Sequence, residues 1–236
     1  MSTEHEKFDF SPVATKYDRF NHLFSLGIDR LWRKRLVKSV NVHPQQRVLD
    51  LCCGTGDVVF GFLKHSCVKN ITGVDISESM IDTAQEKQIR LNSKSWMQNK
   101  NLSWKVADAA QTDLESSGFD AATCAFGIRN IPDRIAALNE TNRLLKPRGK
   151  LSILEFSLPA NPLLRWPYRF YLSRVMPTLG KCVIGSKEPL DYLARSVSHW
   201  DTEVNFSTEL AAAGFRLVHK TPLSGGVATL WVAVKN

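Results

Sequence analysis

No stretch of this sequence approaches the roughly 18 consecutive apolar residues of a membrane-spanning helix, because polar or charged side chains interrupt every apolar run. A bilayer-crossing protein is therefore not expected. Cysteine is sparse: Cys52, Cys53, Cys67, Cys124 and Cys182 are odd in number and form no C-x-x-C pair. That argues against a zinc ribbon or a disulfide framework and leaves buried thiols acting as small hydrophobes. The six histidines (His5, His22, His43, His65, His199, His219) lie too far apart for a metal-ligand pattern, so no metal is expected. The opening MSTEHEKFD has three acids and no apolar core, which reads against a secretory leader and for a cytoplasmic protein.

What is present is a chain of 236 residues with 43% hydrophobic and 23% charged side chains, enough for one sizeable core. The expected organisation is a single domain over 1–236. A helical arm (1–42) is expected to lie over the site carried by a ligand-binding βα core (43–158). A substrate- or membrane-facing insertion (159–200) and a helix with a closing hairpin (201–236) complete it. The net charge is +8, and residues 143–200 hold ten basic side chains against three acids. Such a basic stretch suits a nucleic acid or an anionic membrane surface.

Residues 47–158 alternate short β-branched runs with helical stretches. Strands are expected at 47–53, 71–76, 102–109, 119–128 and 150–158. Helices are expected at 57–65, from the Ser77 cap to about Leu91, and from Pro132 to Leu145 with Pro in the first turn. This alternation implies a parallel sheet covered on both faces. The end of the chain differs: 215–223 and 227–234 flank Ser224-Gly225-Gly226, a hairpin signal. The expected fold class is α/β: a Rossmann-like, seven-stranded mixed sheet with a C-terminal antiparallel hairpin, which by fold-level analogy is the arrangement of class I S-adenosylmethionine-dependent methyltransferases.

The turn after the first strand, DLCCGTGD (50–57), carries the first chemical signal. It brings Asp50, Gly54 and Gly56 to the start of a helix, where glycines admit a ligand close to the backbone and unpaired N–H groups point outward. Nineteen residues past Gly56, Asp75 and Ile76 end the second strand, where a carboxylate can take both hydroxyls of a ribose. Asp108-Ala109 ends the third strand, where an acid can accept from an adenine amino group. A dinucleotide fingerprint needs a third glycine at 59, but Val59 stands there. Asp57 at the helix entry would repel a phosphate and welcome a cationic amino-acid moiety. S-adenosylmethionine has that charge pattern.

Four stretches then carry a resemblance over nearly the whole chain: FSPVATKYDRFNHLFSLGIDRLWRKRLV (10–37), VLDLCCGTGD, FGIRNIPD with ALNETNRLLKPRGKLSILEFSLP, and YLARSVS (192–198). They resemble the ubiquinone/menaquinone biosynthesis C-methyltransferase family. The resemblance implies an enzyme at the inner face of the membrane that methylates a ring carbon of a polyprenylated quinol. Demethylmenaquinol is the expected acceptor, with 2-methoxy-6-polyprenyl-1,4-benzoquinol as the alternative. It implies cofactor contacts at Thr55, Asp75, Asp108 and Ala109, and at Ala125, where the family often has Ser. An RNA methyltransferase and a non-catalytic S-adenosylmethionine-binding protein are the readings from other classes. No nucleic-acid module is legible, and a homodimer is compatible with the chain.

Methyl transfer to carbon needs an electron-rich ring, which a quinol becomes on losing a proton. Arg129 and Asn130 follow the fourth strand at the edge where such folds bind substrates. Arg129 is expected to favour the quinolate by its fixed charge, or else to pair with Asp133; Asn130 is expected to hold the same oxygen. Tyr17 and Asp18 in the arm are candidates to close over the ring. Residues 156–187 carry five basic side chains and no acid, interleaved with Trp166, Tyr168, Phe170 and Tyr171. That mixture suits a peripheral membrane contact, and it equally suits a core-packing helix.

Overall fold

The computed structural model describes residues 25, 27–178 and 188–236. In chain order, α1 (Asp29–Val40) precedes β1 (Arg47–Leu51), α2 (Asp57–His65), β2 (Asn70–Asp75), α3 (Glu78–Leu91), β3 (Asn101–Val106) and β4 (Phe119–Ala125). Then come α4 (Arg134–Leu144), β5 (Leu145–Phe156), α5 (Pro162–Phe170), α6 (Glu188–Glu203), α7 (Phe206–Ala212), β6 (Phe215–Leu223) and β7 (Ala228–Lys235). The seven strands form one sheet in the order β3-β2-β1-β4-β5-β7-β6. The first five run parallel, and β7 is antiparallel to both β5 and β6, as the hairpin signal implied. β7 follows β6 in sequence yet lies inside the sheet between β6 and β5.

The period-two geometry of strands divides the core in two. Val48, Ala121 and Leu154 pack on one face with Trp32, Leu36, Phe62 and Leu63 from α1 and α2. Their neighbours Leu49, Ala122 and Ile153 pack on the other with Leu138, Leu144, Phe206 and Leu210 from α4 and α7. A smaller cluster of Leu158, Leu172, Met176, Leu190 and Val197 holds the segment after β5 against α6.

Local chemistry sets several boundaries differently from the sequence pattern. β1 stops at Leu51 and β4 at Ala125, because Cys52 (φ 50°) and Phe126 (φ 61°) turn left-handed and end the ladder. The Asp133 carboxylate accepts from Ala136 N at 2.9 Å and caps α4, so Pro132 lies before the helix instead of in its first turn. In α4 the buried face is Ala137, Leu138, Thr141 and Leu144, whereas Ile135 is exposed. β5 begins at Leu145, five residues ahead of the expected start at Lys150. The Ser77 cap of α3 is as expected: its hydroxyl accepts from Met80 N.

The aromatic segment is helical through α5 and continues in a wide π turn, Tyr171–Val175. Leu172 is buried and Tyr168 half-buried, but Leu163 (83% exposed), Trp166 (74%) and Phe170 (53%) face outward, with the last two rings stacked. Among the described residues, no helix is long and apolar enough to cross a membrane.

Candidate active site

Between β1 and β4 the strand order reverses, so the connections that leave the carboxyl ends of these two strands lead away in opposite directions. A cavity of about 340 Å³ opens there. The turn after β1 builds one wall. Cys52, Gly54 (φ 52°) and Gly56 (φ 85°) are all left-handed, which leads the backbone under the cavity and into α2. At Gly56 a Cβ would also come within 2.7 Å of Trp104, whose indole packs against this turn.

Two of the carboxylates on this side, Asp75 and Asp108, are held by backbone. Asp75 accepts from Gly54 N at 2.7 Å through one oxygen and from Ser77 N at 3.0 Å through the other. Each oxygen keeps a second lone pair, so a fixed carboxylate faces the cavity with accepting capacity left. Burial raises the Asp75 pKa, against the opposing pull of these N–H donors. Asp108 accepts from Ala110 N at 2.9 Å. Asp57 also lines the cavity, where it pairs with Lys87 Nζ at 2.9 Å; the same ammonium reaches Thr55 Oγ1 (2.9 Å) and Thr55 O (3.2 Å). Lys87 therefore ties α3 to the Gly turn.

Asp50 lies beneath the wall. It is 1% exposed, accepts from Thr123 Oγ1 at 2.6 Å, and its Oδ2 has no hydrogen-bond partner. Burial pushes its carboxyl up to about 7, although Thr123 and Arg33 pull the other way. Arg33, from α1, is the one cationic side chain among the described wall residues. Its Nε meets the buried Asp29 carboxylate at 3.4 Å, and its guanidinium lies 5.1 Å from the Phe126 ring centroid.

The opposite wall follows β4. Arg129 sits in a 3₁₀ turn, Ile128–Asn130, and is 8% exposed. Its guanidinium donates to Glu155 at 2.6 Å, to Phe126 O at 2.8 Å and to Ser196 Oγ at 3.3 Å. Burial raises the Glu155 carboxyl, while the neighbouring Arg129 charge pulls it back down. Asp133, the partner considered from sequence, instead caps α4. Asn130 faces the cavity and accepts from the Tyr192 hydroxyl at 3.0 Å.

Of the residues singled out from sequence, Gly54, Thr55, Asp75, Ile76, Asp108, Ala109, Ala125 and Asn130 share this one cavity. Asp50, Gly56 and Arg129 stand behind its wall. Tyr17 and Asp18 lie outside the described residues. Sequence reasoning missed Arg33, Glu155 and Tyr192 as members of the site. Glu155 left a trace, since an acid inside the apolar run SILEF cannot be buried without a partner.

Three carboxylates and one guanidinium around a partly apolar cavity fit an adenosine-bearing ligand with a zwitterionic tail. The fold and this wall are those of a methyltransferase dependent on S-adenosylmethionine. The chain matches the model of the ubiE/COQ5 methyltransferase family over residues 3–235, and it belongs to that family. It is 37% identical over 221 residues to the ubiquinone/menaquinone biosynthesis C-methyltransferase UbiE of Cereibacter sphaeroides, which covers 94% of this chain and 86% of that protein. To the demethylmenaquinone methyltransferase of Staphylococcus aureus it is 34% identical over 228 residues, covering 96% and 91%. Its fold is similar to that of a SAM-dependent methyltransferase from Aquifex aeolicus, with a TM-score of 0.68 at 19% identity and coverage of 98% and 100%.

Proposed function

We propose that this protein methylates a ring carbon of a polyprenylated quinol, with demethylmenaquinol as acceptor and 2-methoxy-6-polyprenyl-1,4-benzoquinol as the alternative. The observation that carries the reading is that one continuous cavity joins the carboxylates after β1, β2 and β3 to Asn130 and Tyr192 on the far side. The names of the two relatives supply the acceptor class.

Asp75 would hold the ribose hydroxyls, Asp108 the adenine amino group with Ala109 beside it, and the Gly54–Thr55 turn the amino-acid end. Arg33 is suited to the cofactor carboxylate, since it is the one cationic side chain among the described wall residues and a guanidinium can form a charge-assisted pair. When bound, S-adenosylmethionine supplies an electrophilic methyl group on a sulfonium. The protein's share is to dock the ring carbon beside it, exclude water and favour the ionised quinol. Asn130 is the group on the wall that can meet the quinol oxygen. Arg129 is neutralised by Glu155, so its part is to hold the turn that carries Asn130. The arm, Tyr17 included, would close over the ring.

A prenylated acceptor resides in lipid, and α5 offers a means of reaching it. Leu163, Trp166 and Phe170 form an exposed apolar stripe beside Arg169 and Arg174, an arrangement suited to peripheral contact with an anionic membrane from the cytoplasmic side. The deciding experiment supplies radiolabelled methyl donor with each quinol in mixed micelles. Label is expected in the menaquinol product; label in the benzoquinol alone would reassign the acceptor, and label in neither would overturn the reading.

A further inference from the structure

A carboxamide is two groups in one: turned one way it offers an oxygen to the cavity, turned the other way an N–H pair. Only the second can steady an oxygen that is gaining negative charge. In the structure the oxygen end of Asn130 is the one engaged, by a residue 62 positions away in sequence: the Tyr192 hydroxyl donates to Asn130 Oδ1 at 3.0 Å. No described residue accepts from the amide nitrogen, while both side chains line the cavity.

The backbone beneath is equally fixed. Asn130 N donates to Gly127 O at 3.0 Å, and Arg129, clamped between Glu155 and Phe126 O, anchors the turn from below. Arg129 Nε also donates to Ser196 Oγ at 3.3 Å. Ser196 lies four residues after Tyr192 on α6, so both contacts come from one helix face. The helix thus grips the turn twice, once at its buried arginine and once at its cavity-facing asparagine.

We propose that Tyr192 is a positioning residue that holds the Asn130 carboxamide with its N–H group toward the acceptor oxygen. The inference rests on the quinol-methylation reading and adds to it a residue that sets the polarity of the site. It assigns Tyr192 no proton transfer; the phenol acts through the amide.

The test is Tyr192→Phe, which keeps the ring and removes only the hydroxyl, beside Asn130→Ala and the double variant, all assayed for quinol methylation. Without the tether the amide turns over freely. The kcat should fall by about ten- to a hundredfold, with the quinol KM within about twofold and the melting temperature and cofactor affinity unchanged. The kcat profile should move to higher pH, because more of the quinolate must then come from bulk hydroxide. In the Asn130→Ala background, Tyr192→Phe should have no further effect, since there is no amide left to orient. An unchanged kcat, a pure rise in KM, or losses that multiply in the double variant would each overturn the inference while leaving the function reading intact. Wild-type protein that labels neither quinol would instead bring down the function reading and this inference with it.

Discussion

The two walls of the cavity are built on different logics. On the β1–β3 side, the carboxylates of Asp75 and Asp108 are steadied by backbone N–H groups of Gly54, Ser77 and Ala110, two of them within two residues. On the β4 side, Arg129 and Asn130 depend on side chains from β5 and α6, 26 and 62 residues onward. The first wall is a property of strand ends and a Gly turn and forms wherever the sheet forms. The second exists only once α6 has docked. Affinity for the cofactor should therefore reside on one side, and folding stability should be tied up with chemistry on the other.

The sharpest way to break this contrast is Arg129→Met. Removing one member of a buried pair leaves Glu155 charged without a partner, at a cost of about 3–5 kcal/mol, and the melting temperature should fall accordingly. Adding Glu155→Leu should restore most of the loss. A variant that melts like wild type would show the pair to be energetically idle. Asp75→Ala acts on the other wall: cofactor binding by calorimetry should weaken by about 2–3 kcal/mol with little change in melting. Wild-type affinity would remove Asp75 from the cofactor site. On the same wall, Arg33→Met should weaken binding less, by about 1.5 kcal/mol, if it meets the carboxylate end.

The smallest effect concerns pH. The folded-state pKa of Asp50 is raised by burial to about 7 from 3.8, so the native protein holds a proton that the unfolded chain has already released. Stability contributed by this carboxyl is present below its unfolded value and declines as pH rises toward 7. Asp50→Asn keeps an oxygen for the Thr123 hydroxyl but cannot ionise. In melts without cofactor, its advantage over wild type should grow between pH 5 and pH 8; a constant gap would mean that Asp50 titrates normally.

Legibility in the sequence follows the same divide. The Gly turn, Asp75 and Asp108 can be read because local spacing fixes them at strand ends, and the alternation of short strands and helices implies a parallel sheet, though not its strand order. For Arg129 the sequence offers a charge acting on the quinol or a pair with Asp133, since nothing in FGIRN reveals that the guanidinium turns inward to Glu155. Tyr192 opens YLARSVS, one of the stretches that carry the family resemblance, but its place in the site emerges only where α6 meets the turn after β4. Pro132 looked like a helix start because proline suits a first turn, yet the neighbouring Asp133 accepts an N–H and so took the boundary.

The interior position of β7 has a consequence for synthesis. A ribosome finishes β6 before β7, yet β6 has no place in the sheet until β7 has paired along β5 from Lys150 to Phe156. Until then the nascent chain presents the open edge of β5, with Leu151, Ile153 and Leu154 near its end, to solvent or to the chaperones that meet it. β6 therefore depends on β7 for its place in the sheet, and substitutions that slow formation of this hairpin should reduce yield in cells more than they lower the stability of the protein that does fold.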